Sequence, residues 1–230
     1  RAHYDDFLAT ASVKARQPEL SLLRVQQDNP GLKLWIKDPN YWLIDIGNSH
    51  DVGNHNFDHH QLAGDAEPTC SLSLVLKYFG VYDMAVDLWP WLTNLEILDS
   101  KGAAALRSFI GVKNDSISGM NFISPMDSIL LSSFSKVGSS QPDIWLNTGM
   151  QLDLELSQYS GLLSAVRNHA LISSYTGVAI CYFGSIFQPW FKHSSLYAAA
   201  VRLVKQQHKV GVVVVDDASG LSSLCRLDDH

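Results

Sequence analysis

Charge is what this sequence has least of. Only 17% of its 230 residues are Asp, Glu, Lys or Arg, against about 25% in an average globular chain. Basic residues are the scarcer kind, 17 against 23 acids, for a formal charge of −6. No two of them are adjacent. That scarcity argues against a broad electrostatic grip on duplex nucleic acid and leaves room only for a local basic groove. Cysteine is also scarce. Cys70, Cys181 and Cys225 are odd in number, far apart and set in largely apolar surroundings. They form no metal-type pair and read as buried, reduced thiols of a cytosolic protein. No apolar run is long enough to span a membrane, and no secretory leader is visible in the sequence. The expected localisation is therefore cytoplasmic, with no membrane partner.

Several catalytic signatures are missing as well. The chain has no Gly-x-Ser-x-Gly elbow, no phosphate-binding loop, no dinucleotide fingerprint and no Cys beside a convincing base. Internal repeats and low-complexity segments are absent too. What remains is ample core material, 46% hydrophobic, enough for one large domain or two small ones.

One stretch is unusual: Asn54-His55-Asn56-Phe57-Asp58-His59-His60-Gln61. An acid followed by two imidazoles suggests a metal. It lies in a long polar loop, residues 49–64, that is too rich in His, Asn and Asp for a simple connector. Two earlier acidic stretches could meet it, His3-Tyr4-Asp5-Asp6 and Tyr41-Trp42-Leu43-Ile44-Asp45-Ile46-Gly47. A later one, Glu96-Ile97-Leu98-Asp99-Ser100, completes the set.

In chain order, residues 5–16 read as a helix whose first turn carries Asp5 and Asp6, and Pro18 follows its end. Residues 20–25 form a short apolar run expected to be a strand. Residues 41–46 read as a buried strand ending at Asp45, where open α/β sheets place their chemistry. From that strand alone, Asp45 could equally cap a turn. Helices are expected at 69–79, at 83–98 with an interruption at Pro90, at 103–111 and at 124–134. The longest helical pattern, 144–172, contains Gly149 and Gly161, which are unfavourable in a helix. A helix of that length could connect two domains or pack against the partner subunit of a homodimer. From Ser174 the pattern changes to strand (177–183), helix (194–207), strand (210–216) and return strand (221–227).

His3, Asp5, Asp45, Asp58, His59, His60 and Asp99 thus form one candidate constellation. Mixed carboxylate and imidazole ligands suit Mn²⁺, Mg²⁺, Fe²⁺, Co²⁺ or Zn²⁺ better than a thiolate-bound structural zinc. Carboxylates from several segments suggest two ions. A pair about 3.5–4 Å apart can activate a water and stabilise the departing oxygen of a phosphoester.

Four motifs in this order carry a resemblance. They are His-x-Asp-Asp at a helix start, a strand ending Asp-x-Gly, Phe-Asp-His-His-Gln, and Leu-Asp before Ser-Lys-Gly. The chain resembles the melanocyte-proliferating-gene family, a branch of the DHH phosphoesterase superfamily. The likeness runs motif by motif from Arg1 to about Gly102, and by element order beyond.

The resemblance implies an α/β fold with a parallel-sheet, Rossmann-like DHH-type catalytic domain and a smaller carboxyl-terminal α/β domain. The domains are expected at 1–143 and 174–230, joined by a helix at 144–173, with the second apparently incomplete. His3, Asp5, Asp45, His59 and Asp99 would hold two divalent ions, with Asp45 bridging them. Mn²⁺ is the ion expected first and Mg²⁺ the second choice. His60 would contact the scissile phosphate, and Asp58 would orient the loop. A further His is expected shortly before His3, at the end of an opening strand.

The implied activity is metal-dependent phosphodiester cleavage, as a 3′–5′ exonuclease on RNA or short single-stranded oligonucleotides. A phosphohydrolase of pyrophosphate or a nucleotide is one alternative. A degenerate metal-binding interaction protein is another.

For the neighbours of the site, plainer roles are expected. His50 and His55 should make loop hydrogen bonds, Asp6 should serve as a helix amino-terminal charge, and Lys101 should be solvated. His169, His193, His208 and His230 stand outside any motif. Trp89, Trp91, Trp145 and Trp190 should serve core or interface packing.

Overall fold

Helix α1 (Tyr4–Arg16) turns a nearly continuous apolar run inward. Phe7, Leu8, Ala9, Ala11 and Val13 are all buried. Its acids lie in the first turn and Lys14 and Arg16 in the last, the arrangement that the helix dipole favours. In the computed structural model, residues 3–111, 142–175, 177–183, 194–210, 212–217 and 222–226 are described. They fall into two compact units. The first comprises Arg1–Val86 with Pro90–Asp153, and the second Asp87–Trp89 with Leu154–His230.

In the first unit α1 is followed by a short helix, α2 (Leu32–Trp35), and three two-residue strands. These are β1 (Leu43–Ile44), β2 (His50–Asp51) and β3 (Asn56–Phe57), with a 3₁₀ turn at Val52–Asn54 between the last two. The sheet order is β1-β3-β2. β1 runs parallel to β3, and β2 runs antiparallel to it. The Asp45 strand is therefore a short edge strand, and the strand leading to Asp58 is central. Parallel pairing among the described residues of this unit is confined to these two residues on each strand. Residues 20–25, expected as a strand, have no regular structure. Leu23 among them is 69% exposed. An apolar run needs a pairing partner to become a strand, and these residues pair with none.

Helices complete the unit. α3 (Ser71–Tyr78) buries Leu72, Leu74, Val75 and Leu76 against α1 and β3. α4 (Tyr82–Leu88) stops just before Pro90, and α5 (Trp91–Phe109) begins after it. A break does separate the helices expected at 83–98 and 103–111, but as a kink: Gly102 takes φ 82° and ψ 173° inside α5. The helix expected at 124–134 lies outside the described residues.

The last helix to contribute is α6 (Pro142–His169), whose first part belongs to the first unit. Gly149 lets it approach α1 closely. A Cβ placed there would lie 2.0 Å from the carbonyl oxygen of Ala11. The glycine that weakens the helical pattern is thus required by packing. The guanidinium of Arg16 fixes the same contact by pairing with Asp153 at 2.8 Å.

The second unit holds a four-stranded sheet in the order β4-β5-β6-β7. β4 (Leu171–Tyr175) begins where the helical pattern had been expected to continue to residue 172. β5 (Val178–Phe183) and β6 (Val212–Asp217) are parallel neighbours, and β4 and β7 (Ser222–Arg226) pair antiparallel at the edges. Helix α7 (Ser194–His208) connects the parallel pair and packs on both strands. It does so through Leu196, Ala199, Ala200 and Val204, which recur at helical spacing and are buried. No described helix is long and apolar enough to cross a membrane.

Candidate metal centre

The parallel β1–β3 pair explains how distant residues meet. Parallel strands present their carboxyl ends on the same side of a sheet. The residue after β1 is Asp45, and those after β3 are Asp58, His59 and His60. Asp45 has a left-handed backbone, φ 57°, which ends the strand at once. Such a conformation is uncommon for a residue with a side chain, though Asp and Asn adopt it most readily. Gly47 and Asn48 follow at φ 102° and 49°, so the chain turns sharply away. The amino ends of α1 and α3, and Asp99 of α5, close the site from the helical side.

Asp58 is fully buried and is occupied on both oxygens. It accepts the Asn48 N–H at 2.7 Å on one and the His60 N–H at 2.9 Å on the other. The His60 ring nitrogen Nδ1 lies 2.7 Å from the second oxygen. Gln61 donates to the Asp58 carbonyl at 2.7 Å. Asp58 therefore organises the turn. His60, with 48% of its side chain exposed, is held at one nitrogen and open on its other side.

His59 points inward, and only 5% of its side chain is exposed. Its Nε2 lies 2.6 Å from Asp99 Oδ2 and 3.4 Å from Asp45 Oδ1. The first of these separations is short but lacks hydrogen-bond alignment. Both atoms are consequently buried polar atoms without a hydrogen-bond partner, as is Asp5 Oδ1. These three residues can present ligand atoms that all lie within 4.8 Å of one another.

Two further groups overlap with this one, His3 with Asp5 and Asp45, and Asp45 with His59 and His60. His3, Asp5, Asp45, His59 and Asp99 are thus brought together, with His60 at the margin. His3 is the most exposed of the five, and its Nδ1 lies 3.7 Å from Asp99 Oδ1.

The electrostatics are those of a site short of positive charge. Burial raises the Asp5 carboxyl well above its ordinary pKa, and the neighbouring Asp99 and Asp45 raise it further. Burial pushes Asp45 upward too, but the His59 imidazole beside it, the hydrogen bond from the Ser71 hydroxyl and the charge of His60 hold it below the usual value. Burial alone would lower the His59 imidazolium. The carboxylates of Asp45 and Asp99 against it push its pKa up to about 10 instead.

Ser71, the first residue of α3, was not among the residues singled out from sequence. Its N–H donates to Asp5 Oδ2 at 3.1 Å and its hydroxyl to Asp45 Oδ1 at 2.9 Å. A hydroxyl at a helix start shortly after the His pair was the available signal. Lys101, expected to be solvated, donates from Nζ to the carbonyls of Gly64 at 2.6 Å and Ala66 at 2.5 Å. It ties the end of the His-containing loop to α5.

The other neighbours have local roles. Asp6 accepts the His3 N–H at 3.3 Å and pairs with Arg24 at 3.4 Å. His50 Nδ1 lies 3.1 Å from the Asn56 carbonyl. His55 stacks on Trp42 with its Nδ1 2.7 Å from the Pro39 carbonyl. A cavity of about 760 Å³ lies alongside, lined by Arg24, Trp35, Trp42 and Ile44 among others. Of the constellation, Asp45 alone reaches its wall.

The donor set fits divalent cations. Ligand atoms sit about 2.0–2.2 Å from a transition-metal ion, so atoms sharing an ion lie within the span found here. Buried carboxylates need compensating charge, and a dication would provide it. A scan against protein-family models, a search of curated proteins and a search of solved structures return no match to this chain.

Proposed function

We propose that the chain is a metal-dependent phosphodiester hydrolase, acting as a 3′–5′ exonuclease on RNA or short single-stranded oligonucleotides. The observation that carries this reading is the convergence of Asp5, His59 and Asp99, which offer ligand atoms within 4.8 Å of one another and each of which keeps a buried polar atom without a hydrogen-bond partner. His3 and Asp45 extend the group far enough for a second ion. Two ions held there, Mn²⁺ first and Mg²⁺ second, would lower the pKa of a water and neutralise charge on the phosphate.

The chain's own residues would do the rest. Asp45 would join the two ligand groups it already belongs to. Asp58 would keep His60 in one orientation, leaving Nε2 for a phosphate oxygen or for the proton of the leaving group. The oligonucleotide substrate rests on the motif resemblance. The net charge of −6 favours short or single strands over long duplex.

The test compares the wild type with Asp45→Ala on an end-labelled RNA oligonucleotide in Mn²⁺, with pyrophosphate and a nucleotide as parallel substrates. Stepwise shortening from the 3′ end, reduced to background in the variant and by chelation, is expected. Unchanged cleavage in Asp45→Ala would overturn the metal mechanism. Phosphate release from pyrophosphate with the RNA left intact would overturn the substrate.

A further inference from the structure

We infer that Ser71 is a positioning residue for both ions, setting the orientation of two ligand carboxylates at once. The inference rests on the metal-centre reading above and deepens it. Asp5 lies on α1 and Asp45 follows β1, so nothing in the local chain fixes one relative to the other. Ser71 reaches both. Its backbone N–H holds Asp5 Oδ2 at 3.1 Å, and its side-chain hydroxyl holds Asp45 Oδ1 at 2.9 Å.

The consequence for Asp5 is specific. With Oδ2 held by the N–H, the oxygen left without a hydrogen-bond partner is Oδ1. For Asp45, the hydroxyl fixes the carboxylate plane beside His59 Nε2 and His60 Nδ1, 3.4 and 3.6 Å away. Ser71 is itself fully buried at the start of α3, whose apolar face is packed against α1. The helix therefore holds the donor pair in place, and the bond to Asp5 is buried away from water. A carboxylate that must meet a cation in one orientation gains most from a donor held this way.

The two bonds can be separated by mutation. Ser71→Ala removes the hydroxyl and keeps the N–H, so it loosens Asp45 and spares Asp5. Ser71→Thr keeps a hydroxyl. The experiment is a calorimetric titration of the full chain with Mn²⁺, with bound Mn²⁺ counted by electron paramagnetic resonance.

The wild type should take up two ions. Ser71→Ala should weaken Mn²⁺ binding about 10–100-fold, the usual cost of losing a hydrogen bond to a metal ligand, and Ser71→Thr should restore it. Equal affinity in wild type and Ser71→Ala would overturn the inference while leaving the metal centre standing. No uptake by the wild type would overturn the metal centre and the inference with it. Should circular dichroism show Ser71→Ala to be unfolded, Ser71→Cys against Ser71→Thr makes the same comparison. Equal Mn²⁺ affinity in Ser71→Cys and Ser71→Thr would overturn the inference.

Discussion

His60 and Asp58 divide one task between them. Asp58 engages both oxygens inside the turn and belongs to none of the converging ligand groups. His60 is anchored at Nδ1 and half exposed. Removing the His60 ring should therefore slow chemistry and spare metal uptake. We expect His60→Ala to lower kcat by about 10²–10⁴-fold, the usual worth of a positioned acid or base, with Mn²⁺ stoichiometry unchanged. A parallel loss of ions would make His60 a ligand instead. At this scale the sequence was informative where a chemical type was unusual. Asp58-His59-His60 is conspicuous, and the acids near it could be paired with it by motif order. Ser71 leaves only a faint mark in the sequence, because serine at a helix start is ordinary and its two partners are remote. Lys101 was misread for a similar reason, since its acceptors are backbone carbonyls that no sequence pattern marks.

Helices were legible from apolar spacing, and strands only where they pair. The α7 stripe and the parallel β5–β6 pair follow the pattern seen in the sequence. Residues 20–25 carry an equally apolar pattern and form no strand, because pairing is a property of the neighbours. Gly149 shows the reverse error. Its helix penalty is about 1 kcal/mol relative to Ala, yet the helix forms through it, since α1 occupies the space a side chain would need. Gly149→Ala should accordingly destabilise the protein, although alanine is the better helix former. Overpacking against backbone costs about 1–3 kcal/mol, and the clash is with the Ala11 carbonyl, which cannot rotate aside. A chemical denaturation curve measures this, and an unchanged or raised midpoint would contradict the packing described.

The two units divide the chain at Asp153 and Leu154, inside α6, with Asp87–Trp89 joining the second. Sequence patterning set the boundaries at 143/144 and 173/174, the ends of the helical pattern, because periodicity marks where a helix ends and carries no record of which core each turn joins. Trp89 and Pro90 separate α4 from α5, and Trp89 is buried and donates its indole N–H to Glu155 at 2.8 Å. Both residues belong to that second unit, an assignment legible only from contacts. Metal-dependent hydrolysis requires cations at the first unit's converging carboxylates. Anomalous scattering from crystals grown in Mn²⁺ tests this most directly. Two peaks are expected, enclosed by His3, Asp5, Asp45, His59 and Asp99, with Asp45 between them. No peak at saturating Mn²⁺, or a single peak away from Asp45, would contradict the account.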